Sequence, residues 1–117
     1  MGHVYVTIKL SNLARTKVKE AQALVDTGST LTVIPQKIAQ ELELGEITKE
    51  VVESGAGELE LKRSSARITI NGRETAQDLL ISDFIDRVLL GVITLEAMAL
   101  SVDPLTGKLK ERRLLLY

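Results

Sequence analysis

Apolar and polar residues alternate along the first strand of the sequence, with Val4, Val6, Ile8 and Leu10 on one side and Tyr5, Thr7 and Lys9 on the other. A period of two predicts a half-buried strand. Residues 11–14 predict a turn. A second strand over 17–25 is polar at first and apolar at its end, in Ala23, Leu24 and Val25. Asp26-Thr27-Gly28-Ser29 interrupts it with turn-forming residues. Residues 31–34 are extended and rich in β-branched side chains, and Pro35 suits the first turn of a helix. Ile38, Ala39 and Leu42 give that helix one apolar stripe, which stops near Gly45.

Residues 47–53 and 58–62 predict two strands joined by Ser54-Gly55-Ala56-Gly57, a hairpin with a glycine-rich tip. Its arms interleave Glu50, Glu53, Glu58, Glu60 and Lys62, so it is expected to stand out from the core. Residues 67–70 and 74–81 flank Asn71-Gly72, the strongest short hairpin signal. A loop over 82–86 leads to Val88, Leu89 and Leu90, a short buried strand ending at Gly91. Residues 92–100 have helical spacing in Ile93, Leu95, Ala97 and Met98. A strand to Asp103, a turn over 104–107 and strand residues to Tyr117 follow. The sum is about nine strands and two short helices, a mainly β chain forming one domain over 1–117.

The 117 residues carry a formal net charge of −1, from 15 Lys and Arg against 16 Asp and Glu. That balance argues against nucleic acid as a partner, because its binders present a basic face. The only aromatic residues, Tyr5, Phe84 and Tyr117, do not furnish base-stacking platforms. Without cysteine there is no disulfide, iron–sulfur cluster or thiol nucleophile, and His3 alone excludes a multi-histidine zinc site. A Ser-His-Asp triad would have to draw on His3, next to the N-terminus. No run approaches the ~20 apolar residues of a membrane span. The first ten residues lack the layout of a signal peptide. The expectation is a soluble, cytoplasmic protein with no membrane partner.

One constellation stands above this background: Ala23-Leu24-Val25-Asp26-Thr27-Gly28-Ser29. A carboxylate directly after three apolar residues is partly desolvated, which favours its protonated form and makes it available for proton transfer. Gly28 lets the backbone turn sharply and lets a ligand approach. Thr27 and Ser29 supply hydroxyls able to hold the carboxylate. A turn capped by its own hydroxyls reads alike, so the motif alone leaves function open.

With the elements that follow it, the sequence resembles the retropepsin-like, or retroviral-type, aspartic peptidase family. The features that carry the resemblance are Leu24-Val25-Asp26-Thr27-Gly28-Ser29, then the tip Ser54-Gly55-Ala56-Gly57, then Leu89-Leu90-Gly91 and the helix after it. It spans about 20–110, and residues 31–35 and 103–109 look like the cellular and prokaryotic branch. The resemblance implies a single-domain, mainly β acid-protease fold, a closed sheet with a flap hairpin and one or two short helices. It also implies an aspartic endopeptidase acting on a peptide or unfolded protein, with no metal or cofactor. One Asp-Thr-Gly per chain implies a homodimer in which Asp26 of each subunit meets at the two-fold axis. Thr27 is then expected to bond across the subunits, Gly28 to lie under the substrate, and Ser29 to donate to Asp26. Gly55, Ala56 and Gly57 would form the flap tip, while Leu24 and Leu89 would line apolar pockets or belong to the core.

Two positions depart from the viral pattern. Viral members place an Asp where Thr30 stands and an Arg where Val92 stands, so a different brace is expected on the active-site loop. Arg87 would favour an acidic substrate side chain if it faces a pocket, and otherwise sits on a solvated rim. Leu114, Leu115 and Leu116 suit either a dimer strand or a monomer's edge. Two rival functions remain: a non-catalytic peptide-binding or dimerisation module on the same fold, and a phosphate-handling Asp-x-Gly-x-Thr loop (Asp26, Gly28, Thr30). The latter belongs to two-lobed kinases too large for this chain.

Overall fold

The computed structural model describes residues 3–113. β1 (Tyr5–Ser11) and β2 (Val18–Val25) form an antiparallel hairpin that sets Tyr5 opposite Leu24. Asn12 fixes the turn between them, its side-chain oxygen accepting the N–H groups of Thr16 and Lys17. β3 (Val33–Pro35) runs directly into α1 (Gln36–Glu41). β4 (Thr48–Ser54), β5 (Gly57–Ile70) and β6 (Arg73–Ser82) form a meander. β7 (Val88–Leu90) and α2 (Val92–Ala97) follow, and β8 (Leu100–Asp103) and β9 (Lys108–Glu111) make a separate ribbon.

The strand order β1-β2-β7-β3-β6-β5 closes on itself, because β5 pairs again with β1 and sets Leu10 opposite Ile68. Six strands thus form a barrel, closed by the short pairing of Lys9–Ser11 with Arg67–Thr69. β2 with β7 and β3 with β6 are parallel, and the other pairs are antiparallel. β4 lies outside the ring, on β5 alone. The interior is filled by Ile8, Leu10, Ala23, Ile34, Ile68, Ile70, Leu79, Val88 and Leu90, with Leu42 and Leu95 closing it near the helices. No helix among the described residues is long and apolar enough to cross a membrane.

The mainly β architecture with its outlying hairpin is the one expected, with three differences of detail. First, 58–62 and 67–70 are not two strands: β5 is one strand of 14 residues, paired with β4 over 57–63 and with β6 over 62–70. Leu59 and Leu61 pack into a second apolar cluster with Val33 and Leu80, whereas Ser64, Ala66, Ile68 and Ile70 are the buried positions further on. The buried phase switches between Leu61 and Ser64, so opposite faces of the strand are covered at its two ends. The polar run that looks like a break is satisfied in place: Ser64 donates to the Gly45 carbonyl and Ser65 to Asp78. Second, the outlying hairpin is rooted, since Val52 and Leu59 pack on that second cluster, although positions 53–58 are exposed. Third, α2 stops at Ala97, because Ala99 takes a left-handed conformation (φ 55°) and Leu100 is buried as strand. The turn at Asn71-Gly72 has both residues at positive φ (50° and 80°), as a two-residue hairpin requires. The apolar tail 114–117 lies outside the described residues.

Candidate active site

β2 lies between β1 and β7, and Asp26 is the first residue beyond its end. The Val25 N–H donates to the Val4 carbonyl (2.8 Å) and the Asp26 N–H to the Leu90 carbonyl (3.0 Å), so Asp26 starts from an anchored main chain. The Ser29 N–H donates back to the Asp26 carbonyl (3.1 Å) and closes a turn. Within that turn the Gly28 N–H donates to Asp26 Oδ1 (3.0 Å), orienting the carboxylate. Gly28 is not in the left-handed region; its missing side chain matters because a Cβ would stand 3.3 Å from that oxygen. The Ser29 hydroxyl does not reach Asp26. It donates to the Leu31 carbonyl (2.6 Å), a nearer main-chain acceptor of the kind serine commonly takes in turns.

α2 braces this loop. A helix leaves its first N–H groups without intrahelical partners, and α2 has no side-chain cap. The Val92 N–H donates to the Ser29 carbonyl (2.9 Å) and the Ile93 N–H to the Thr30 carbonyl (3.2 Å). Main-chain bonds at Thr30 and Val92 therefore stand where the viral pattern has an ion pair.

The loop opens into a groove of about 630 Å³, with Asp26, Gly28, Ser29, Thr30 and Val33 on one side and Val52, Glu53, Ser54 and Gly55 of the β4–β5 hairpin on the other. Of the residues singled out in the sequence, Asp26, Gly28, Ser29 and Gly55 thus come together. Thr27 lines a different concavity of about 160 Å³, with Val92, Leu95 and Val102. Ala56 and Gly57 complete the exposed hairpin tip without lining the groove, and Gly57 takes φ 109°, a conformation suited to glycine. Leu89 packs on Val33, Leu61 and Leu80. Leu24, half-buried, pairs with both Tyr5 and Leu89 across the sheet. Thr30, marked in the sequence only as a departure from the viral pattern and in the phosphate-loop reading, also lines the groove, as do Val33, Val52 and Glu53, which the sequence pattern did not mark. Val51 and Val52 are adjacent and both apolar, so the alternation in 47–53 did not distinguish the inward-facing Val52 from the exposed Val51.

Arg87 is exposed and does not line the groove; its Nε is bonded to Asp86 (3.1 Å) and its guanidinium donates to the Tyr5 hydroxyl (3.2 Å). At the base of the hairpin Arg63 bridges Glu50 of β4 (3.0 Å) and Asp78 of β6 (2.9 Å). The Ser65 hydroxyl and then the Arg63 guanidinium hold the Asp78 carboxyl below the ordinary carboxylate range. Among the described residues no group of three or more His, Asp and Glu side chains is placed to hold a metal ion.

A family model described as aspartyl protease matches residues 6–102. No curated protein sequence matches the chain. Among solved structures it is similar to the retroviral protease-like domain of Ddi1 from Leishmania major, with a TM-score of 0.69 at 15% identity over 97% of this chain and 91% of that one. It is similar to the EIAV protease solved with an inhibitor (TM-score 0.67, 19% identity, 82% and 88% covered). A retropepsin-like aspartic protease from Rickettsia conorii gives a TM-score of 0.62 at 18% identity, with 87% and 77% covered. At these identities the structural likeness is one of fold, and that fold is retropepsin-like. With the family model spanning most of the barrel and the loop at Asp26, the chain belongs to the aspartyl protease family.

Proposed function

We propose that two copies of this chain form an aspartic endopeptidase, each contributing Asp26 to one site. The observation that carries this reading is the position of Asp26: at the end of a core strand, oriented by the Gly28 amide, and open to a groove overhung by the hairpin tip. One carboxylate cannot be base and acid at once in peptide hydrolysis. Two carboxylates ~3 Å apart repel by roughly 5 kcal/mol at an effective dielectric of ~20, so the pair keeps one proton between them. The ionised member takes a proton from water as that water attacks the peptide carbonyl carbon. The protonated member donates to the carbonyl oxygen, and the pair then returns a proton to the leaving amine. No metal or cofactor enters this scheme.

The neighbouring residues take their parts from the same reading. Thr27, outside the groove of its own chain, bonds to the partner's loop. Gly28 presents its carbonyl to the substrate main chain. Gly55, Ala56 and Gly57 close over a peptide or unfolded segment. Leu24 and Leu89 underlie apolar side-chain pockets.

The test is Asp26→Asn, assayed beside the wild type on an unfolded protein from acid to neutral pH. The amide can keep the Gly28 bond, so fold and dimer are expected to persist. Hydrolysis is expected to fall by at least ~10²–10⁴-fold, the usual worth of general acid–base transfer. Retained cleavage by a folded mutant dimer refutes the mechanism. No cleavage by either form, with peptide binding intact in both, favours a binding module on this fold.

A further inference from the structure

Leu90 and Gly91 share one peptide unit, and both of its polar groups are engaged. Its carbonyl accepts the Asp26 N–H (3.0 Å), and its N–H donates to Thr32 Oγ1 (3.0 Å). Thr32 Oγ1 lies 2.7 Å from Thr94 Oγ1, and the Thr94 hydroxyl donates to Gln77 Oε1 (2.8 Å). The single proton of Thr94 is thereby committed to Gln77, so the proton between the two threonines comes from Thr32. The bonds run one way: Asp26 N–H to the Leu90–Gly91 peptide, to Thr32, to Thr94, to Gln77. Thr32 and Thr94 are 0% and 1% exposed, so neither hydroxyl has water to replace a lost partner. Gln77 is half-buried on β6, and its amide nitrogen donates to the Ile93 carbonyl of α2 (3.5 Å), which fixes its oxygen toward Thr94.

We propose that Thr94, with Gln77 behind it, is a positioning residue for Asp26, acting through Thr32 and the Leu90–Gly91 peptide. Bonds in series polarise one another, and in a dry interior each is costly to leave unmade. Removing the Thr94 hydroxyl strands the Thr32 proton and the Gln77 oxygen. Thr32 Oγ1 can still accept the Gly91 N–H, but with its own proton unpaired in a dry site, and a side-chain rotation that finds that proton a partner gives up the Gly91 bond. The peptide between Leu90 and Gly91 is freed to tilt, and Asp26 is the residue hung from its other side. A buried pair of hydroxyls with a purely stabilising role would not single out Asp26.

The kinetic arm of the test rests on the peptidase reading, and the exchange arm does not. Thr94→Val keeps the side-chain shape without the hydroxyl, and Thr94→Ser restores it. In Thr94→Val, amide exchange at Asp26 and Gly91 is expected to speed up about tenfold, the worth of one net hydrogen bond, while β5 and β6 amides keep their rates. Thr94→Ser is expected to restore both. The turnover number of Thr94→Val is expected to fall about 10- to 100-fold with KM nearly constant, because a misplaced group slows chemistry more than binding. If Thr94→Val does not fold, Gln77→Leu, at a half-buried site, is expected to give the same selective change at smaller size. Wild-type exchange at Asp26 and Gly91 in a folded variant overturns the proposal, as does a uniform rise across the barrel. A wild type that cuts nothing sinks the peptidase reading, while the exchange arm still decides this one.

Discussion

Gly91 and Leu31 pack main chain against main chain, so closely that a Cβ on Gly91 would stand 2.5 Å from the Leu31 carbonyl oxygen and 2.8 Å from the Thr32 nitrogen. The obstacle is backbone, which cannot swing aside as a side-chain end can. Gly91→Ala is therefore expected to cost about 1–3 kcal/mol or more through overpacking. That corresponds to roughly 4 °C of melting temperature per kcal/mol in a domain of this size. Gly45→Ala, where nothing lies within 4 Å, is the control, expected to stay within about 0.5 kcal/mol of wild type. Thermal melts of the two variants check this, and equal melting temperatures would show that the crossing can relax.

The Ser65–Asp78–Arg63 cluster leads to an expectation about acid. Asp78 titrates below its ordinary range in the folded chain, so the unfolded chain binds its proton more readily. Its contribution is full above the unfolded value and is lost as pH falls through the folded one. Asp78→Asn is expected to be less stable than wild type at neutral pH, with the gap closing below the usual carboxylate range. Asp78 and Arg63 are about two-fifths and one-third exposed, so the gap is expected to be small and to shrink in salt. Urea unfolding at neutral and strongly acid pH measures it; a gap that widens in acid contradicts the assignment.

Positions 53–58 are all exposed, and the tip is closed mainly by Ser54, whose hydroxyl donates to the Gly57 carbonyl (2.8 Å) and accepts the Ala56 N–H (3.2 Å). Fast amide exchange is expected there in the free protein, slowed by a peptide-like inhibitor. Gly57→Ala, at φ 109°, is expected to strain the turn by about 1–3 kcal/mol. Its effect is expected in turnover and inhibitor affinity, with a smaller loss of melting temperature than in Gly91→Ala because the exposed tip can open locally. Identical exchange with and without inhibitor would remove the lid role.

A site that needs Asp26 from two chains is concentration-dependent. Activity per chain is expected to fall on dilution through the dissociation constant, and sedimentation is expected to show the dimer above it. A monomer that cleaves at full rate contradicts the shared site.

The elements legible in the sequence are those set by neighbours in the chain. Alternation over Val4–Leu10, the turn at Asn71-Gly72 and the apolar approach to Asp26 are each short-range signals, and each is formed. What escaped depends on distance along the chain. The closure that pairs Leu10 with Ile68 has no local signature, nor does the contact of Thr32 with Thr94, 62 residues apart. Ser64 and Ser65 read as a break because polarity is visible in sequence whereas their acceptors, Gly45 and Asp78, are not. Ser29 was legible as a loop hydroxyl but not as one committed to Leu31.

β5 begins at the hairpin tip with Gly57 and ends in the barrel wall with Ile70, without an intervening loop. A lid built this way has no separate hinge peptide. On the proposed reading, opening is expected to spread as bending along a paired ribbon on the tip side of Arg63, whose ion pairs tie three strands together. If the hairpin is the proposed lid, it is expected to take a continuous range of heights over the groove instead of two latched positions. On that reading the bulk of a bound segment, more than a switch, is expected to set how far it lifts.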